Sequence, residues 1–181
     1  MNQKLSLKRM TSIGLFAALL AVLSQIQIPM PSGVPVTMQT FAVALIGFTL
    51  GWKDGLLTVL IYLLLGGVGL PVFAGFHGGI GSLAGPSGGF LWGFLLLAAG
   101  CGASSGKSQV LLGAAGGGIG LILCHALGIL QYSAVAEAGL AQSFLLVSAP
   151  YLIKDVLSAA AAFAVSKVLR RGIRAAGGEL A

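Results

Sequence analysis

Six stretches of almost unbroken apolar character follow one another along the 181-residue chain, at about 9–28, 36–52, 55–68, 88–103, 108–130 and 147–169. A helix needs about 20 apolar residues to cross the roughly 30 Å hydrocarbon core of a bilayer, so each stretch predicts one crossing, the second and third being short. Six crossings nearly exhaust the chain, which leaves no room for a soluble domain of useful size. The expected fold is an all-α integral membrane protein, a six-transmembrane-helix bundle formed as one membrane-embedded domain over residues 1–181. The first stretch follows Lys4, Lys8 and Arg9, as a secretory signal would. It continues from Ser12 to Ile28, too long for a signal core and without a clean small-residue cleavage site, so it reads as the first span.

Composition agrees: 57% of residues are hydrophobic and 8% charged, against about 25% charged in a soluble domain. The net charge of +6 raises the possibility of nucleic-acid binding, but the placement of the charges points elsewhere. With the N-terminus inside, the inner segments carry Lys4, Lys8, Arg9, Lys53, Lys107, Lys167, Arg170, Arg171 and Arg174, and only Lys154 lies towards the outside. That bias predicts both termini in the cytoplasm, and it accounts for the basicity as orientation in the cell membrane without nucleic acid.

Two outer connecting segments are unusual. Pro29 to Pro35 joins the first two spans, and Gly66 to Gly89 joins the third and fourth with the glycine-rich, formally uncharged run GGVGLPVFAGFHGGIGSLAGPSGG. A water-washed loop is normally charged, so this one reads either as backbone folded onto the outer end of the bundle or as a compact loop turning at Gly and Pro. Irregular backbone is tolerated at that depth where it is buried in protein or lines a cavity. His77, within this run, is either satisfied by backbone carbonyls or in contact with a ligand. The pairs Gly113/Gly117 and Gly116/Gly120 in span five have the spacing that lets helices pack closely. Ala17 and Ala21 in span one share it, and spacing alone leaves open whether they pack inside the fold or against a partner.

The stretch that opens at Ser148 carries Lys154 and Asp155 side by side and then no charge until Lys167. An ionisable group inside a bilayer is costly unless paired or facing a polar cavity, which marks the pair as a functional site. Neighbours on a helix point about 100° apart, so each is expected to face something other than its neighbour: a bound polar ligand. Thr37, Gln39 and Thr40 open span two with polar side chains, which serve either as a ligand wall or as helix capping. Gly106-Lys107-Ser108 resembles the end of a phosphate-binding loop, but the glycine required five positions earlier is Cys101. ATP binding is therefore not expected, and active import would draw on a separate subunit or an ion gradient. His77 and His125 stand alone without paired carboxylates, so no metal and no cofactor are expected. His125 reads as a packing residue, Cys101 and Cys124 as buried thiols, and no nucleophile elbow supports an enzyme.

Val34-Pro35-Val36-Thr37-Met38-Gln39-Thr40, Tyr62 followed by Gly69-Leu70-Pro71-Val72-Phe73-Ala74-Gly75-Phe76, and Gly85-Pro86-Ser87-Gly88-Gly89-Phe90-Leu91-Trp92-Gly93-Phe94 carry a resemblance. Together with Pro150–Asp155, these segments resemble the BioY family, the substrate-binding membrane subunits of energy-coupling-factor type biotin importers. The resemblance implies biotin enclosed at the outer end of the bundle beneath the first and third connecting segments. It also implies that Ala17 and Ala21 dock the subunit onto a transmembrane coupling protein above two ATPase subunits. Asp155 matches the family's aspartate in span six. The family's lysine three residues later is Ser158 here, and Lys154 replaces the usual preceding glycine.

Biotin has a ureido ring with two N–H donors and a carbonyl, an apolar thioether ring and chain, and a carboxylate tail. A pocket for it needs a few placed polar groups in an apolar lining. The expected substrate contacts are Asp155, Gln39 and Thr37 on the ureido ring, with Phe73, Phe76 and Tyr62 along the body and His77 in the cover. Lys154 is the natural partner of the tail. Two rival functions are a stand-alone secondary carrier and a membrane assembly subunit that binds no small molecule.

Overall fold

The computed structural model describes residues 7–105 and 110–175. Lys4 and the Gly106-Lys107-Ser108 turn lie outside the described residues. The protein is mostly helical: α1 (Leu7–Ser24), α2 (Gln39–Gly67), α3 (Ile80–Ala84), α4 (Gly88–Ala103), α5 (Val110–Val135), α6 (Leu140–Val147) and α7 (Ala149–Ala175). Three of these, α1, α2 and α5, are long and apolar enough to cross a membrane by length and composition, and α4 is a shorter apolar helix. Their outward faces carry large apolar residues such as Leu15, Val22, Ile119 and Ile122. Helices apolar on every side are characteristic of a lipid environment, and the chain is a multi-pass membrane protein.

The second and third predicted spans form one element, α2, which doubles back on itself at Gly51. Gly51 has φ 84° and ψ 174°, a conformation open to glycine but not to a side chain. The two arms, 39–50 and 52–67, run antiparallel, as the 2.9 Å bond from Gln39 Nε2 to Tyr62 Oη across the hairpin shows. Breaking the helix frees carbonyls, and other elements satisfy them. Arg170 Nη1 of α7 donates to Phe48 O at 3.2 Å and Thr49 O at 2.8 Å, and Ser105 Oγ donates to Phe48 O at 2.9 Å.

Inward faces follow helical spacing. On α1 they are Ile13, Phe16, Ala17, Leu20 and Ser24; on α7, Tyr151, Asp155, Ala159, Ala162, Ser166 and Arg170. A Cβ on Gly116 would run into Gly100 O, and one on Gly120 would lie 3.0 Å from Leu97 Cα, so α4 and α5 meet along a small-residue seam as the spacing predicts. Gly113 instead admits the Phe163 ring of α7.

Helix α1 stops earlier than the predicted first span. Gln27–Ile28 and Val36–Thr37 pair as a two-stranded antiparallel ribbon, with Gln27 opposite Thr37, which an all-helical expectation did not include. Proline at 29, 31 and 35 supplies no amide hydrogen and disfavours helix in the residue before it, so extended backbone replaces the last helical turn. The glycine-rich segment folds onto the same end of the bundle as a short 3₁₀ turn, Ala74–Phe76, followed by α3. Two glutamines pin it. Gln25 Nε2 donates to Phe73 O at 3.1 Å while its Oε1 accepts from Phe76 N at 2.8 Å, and Gln131 Nε2 donates to Leu83 O at 2.8 Å and Gly85 O at 2.9 Å.

Candidate functional site

The ribbon, the glycine-rich cover and the adjoining ends of α2, α4, α5 and α7 enclose a cavity of about 280 Å³. This is close to the lower bound, about 300 Å³, of pockets for small organic ligands. Its wall is divided by chemistry. Phe73, Phe90, Leu91, Phe94 and Leu121 form an apolar side, whereas Thr37, Gln39, Thr40, His125, Lys154 and Asp155 supply polar groups.

Of the substrate contacts expected from sequence, Thr37, Gln39, Phe73, His77, Lys154 and Asp155 line this cavity. Thr37 lines the cavity and bonds the first residue of α2. Its Oγ1 accepts from Gln39 N at 3.2 Å at the start of α2 and donates to Gln39 Oε1 at 2.9 Å. This orients the glutamine beside the cavity.

Tyr62 stands behind the wall instead of in it. It is 1% exposed, and its hydroxyl accepts from Gln39 and donates to Val72 O at 3.0 Å. Its ring supports Phe73 edge-on, with centroids 5.3 Å apart. Phe76 is not a wall residue either. Phe73 N bonds His77 O at 3.0 Å and closes a tight turn that sends Phe73 inward, while Phe76, at the apex with φ 59°, is 71% exposed.

Lys154 and Asp155 also differ from expectation, because they contact each other. Lys154 Nζ forms an ion pair with Asp155 Oδ1 and donates to Thr37 O at 2.9 Å. The Cα–Cβ vectors diverge as the helix requires, but a four-carbon arm is long enough to curl back to its neighbour. Asp155 Oδ2 lies 3.2 Å from His125 Nε2, and Oδ1 takes the Lys154 ammonium. A buried carboxylate has room for about four acceptor contacts, so this one, on the cavity wall, keeps capacity beyond these two partners.

Sequence reading missed His125, Tyr151, Phe90 and Phe94 as wall residues. Tyr151 Oη donates to Val34 O at 2.6 Å and so ties the first connecting segment to α7. The aromatic spacing Phe90/Phe94 on α4 was the available signal. Ala17, expected to dock a partner, is 6% exposed, and Ala21 is half-buried against the core. Both turn into the fold, which is the packing alternative their spacing left open.

The BioY family profile matches residues 1–175. The chain belongs to the BioY family. It is 35% identical over 163 residues to the probable biotin transporter BioY of Pyrococcus horikoshii, covering 90% of this chain and 96% of that protein. It is 42% identical over 124 residues to the biotin transporter BioY of Thermotoga maritima, covering 68% of this chain and 73% of that one. The fold of this BioY chain is that of the S-component for biotin from an ECF-type ABC transporter, known from a 2.1 Å crystal structure. The match has a TM-score of 0.83 at 24% identity, covering 94% of this chain and 95% of that one.

Proposed function

We propose that this chain captures biotin in the cavity at one end of its bundle and delivers it for import together with a transmembrane coupling protein and two ATPase subunits. The relatives' names and the fold of the biotin S-component support the ligand and the type of assembly. The observation that carries the reading is Asp155, a buried carboxylate held by Lys154 and His125 on the cavity wall. A carboxylate can take about four acceptor contacts, so it can still accept a ureido N–H, and a hydrogen bond to a charged group is worth about 1.5–3 kcal/mol. Gln39 and Thr37 complete the polar side for the ureido group, and Phe73, Phe90 and Phe94 take the thioether ring and chain. Lys154 holds Asp155 and the Thr37 carbonyl in place, and His77 meets the carboxylate tail at the exposed cover.

The same reading gives six crossings, made by α1, the two arms of α2, α4, α5 and α7, with both termini cytoplasmic. Lys8, Arg9, Lys53, Lys167, Arg171 and Arg174 lie towards the end away from the cavity, in line with a cytoplasmic excess of basic residues. The coupling protein meets the outward face of α1, where Gly14 and Ala18 share the four-residue spacing of the inward-facing Ala17 and Ala21.

Calorimetric titration of biotin into the detergent-solubilised protein tests the ligand. Saturable one-to-one binding is expected, and no heat from biotin would leave an assembly role in its place. Uptake into liposomes containing this chain alone, driven by an ion gradient, would favour the stand-alone carrier. Accessibility labelling tests the orientation: a cysteine at Glu137 should label from outside and one at Arg174 should not.

A further inference from the structure

His125 lies in the middle of an apolar helix and is 5% exposed, yet both of its ring nitrogens are engaged. Nδ1 is 2.8 Å from Ser148 Oγ, at the break between α6 and α7, and Nε2 is 3.2 Å from Asp155 Oδ2. The ring meets Phe90 edge-on, with centroids 5.7 Å apart and planes at 90°, which fixes its tilt. A neutral imidazole has one donor and one acceptor nitrogen. An ionised carboxylate only accepts, so Nε2 carries the proton and Nδ1 takes the Ser148 hydroxyl proton. The three groups then form one directed chain, Ser148 to His125 to Asp155.

The consequence lies at the carboxylate. Oδ2 is held by the His125 ring and Oδ1 by the Lys154 ammonium, so the carboxylate is fixed on the cavity wall. A carboxylate anchored in this way presents its remaining lone pairs in fixed directions, and preorganised polar groups avoid an ordering cost when a ligand arrives. We infer that His125 is a positioning residue for the ligand: its Nε2–H orients Asp155 so that the carboxylate receives an N–H donor of the bound molecule, and Ser148 anchors the other ring nitrogen. The inference rests on the biotin reading and deepens it by naming what selects for a cyclic urea's N–H.

The test is a double-mutant cycle read by biotin calorimetry. His125→Leu removes the donor and keeps apolar bulk; in His125→Gln the amide nitrogen reaches the place of Nε2 and still donates. Each is measured with Asp155 and with Asp155→Asn. His125→Leu should weaken biotin binding about tenfold and His125→Gln less than about threefold. In the Asp155→Asn background His125→Leu should change affinity by less than about twofold, because the carboxylate it positions is already lost. Equal losses in both backgrounds, equal losses for Leu and Gln, or an unaffected His125→Leu would each overturn the inference while leaving the biotin site standing. Wild-type protein without affinity for biotin, or Asp155→Asn with unchanged affinity, would overturn the site reading and this inference with it. Should His125→Leu fail to fold, ¹⁵N-histidine spectra of the wild type decide: a protonated Nε2 with a bare Nδ1 is expected, and the opposite tautomer overturns the inference.

Discussion

Asp54 and Asp155 are both 5% exposed, both on membrane-embedded helices and both paired with a basic residue, yet their surroundings differ. Arg9 Nε lies 2.8 Å from each oxygen of Asp54, and the guanidinium adds a further contact through Nη2. Both carboxylate oxygens are taken, and Asp54 borders no part of the cavity. Asp155 has His125 on one oxygen and Lys154 on the other, and it lines the cavity. A closed ion pair ties helices together. A carboxylate with acceptor capacity left beside open space is equipped to take a ligand. Burial of charge alone does not separate the two; a place on the cavity wall does.

Breaking the closed pair should give the largest effect on stability. Arg9→Met leaves Asp54 buried without its guanidinium, and loss of one partner from a buried pair costs about 3–5 kcal/mol. Because the Arg9 side chain is 30% exposed, the loss should lie near the lower figure, about 3 kcal/mol. It should show as a lower unfolding temperature in detergent, with biotin affinity unchanged while the protein is folded. A matching loss of affinity would mean that the two ends are coupled.

Lys154 sharpens the contrast, since it holds the Asp155 wall and the Thr37 carbonyl together. Lys154→Met should lower affinity about tenfold, through loss of hydrogen bonds from a charged donor. Biotin and biotin amide should suffer alike, because the partners seen are protein groups. Calorimetry showing a loss for biotin alone would put the ammonium on the ligand's carboxylate.

The smallest effects should come from the two rings that sequence placed in the wall. Tyr62→Phe removes hydrogen bonds to Gln39 and Val72 and should cost about 1 kcal/mol of stability. Its affinity should fall only a few-fold, through a less ordered Gln39. Phe76→Ala, at an exposed apex, should change stability by less than about 0.5 kcal/mol and affinity not at all. A large affinity loss from Phe76→Ala, measured the same way, would require the cover to rearrange around the ligand.

Properties carried by a single helix were legible in the sequence. The apolar runs marked the helices, the glycine spacing on α5 marked its seam with α4, and two charges in an apolar stretch marked Asp155. What escaped depends on residues that only tertiary packing brings together. His125 is one polar residue in an apolar run, and its meaning comes from Ser148 and Asp155, 23 and 30 residues further along. Phe73 and Phe76 belong to the same uncharged loop, and only the turn closed by Phe73 and His77 decides which of them faces inward. Ala17 and Gly14 each begin a four-residue small pair on α1, and the packing of α1 against α2 decides which pair is buried.

The two carboxylates can be compared directly by titrating biotin into Asp155→Asn and Asp54→Asn beside the wild type, with thermal unfolding of each. Asp155→Asn should lose about ten- to a hundredfold in affinity, the equivalent of about 1.5–3 kcal/mol, and keep its unfolding temperature within a few degrees. Asp54→Asn should unfold at lower temperature and bind biotin as the wild type does. Undiminished affinity in Asp155→Asn, or a loss of affinity in Asp54→Asn equal to its own, would contradict the assignment of Asp155 as the ligand-facing carboxylate.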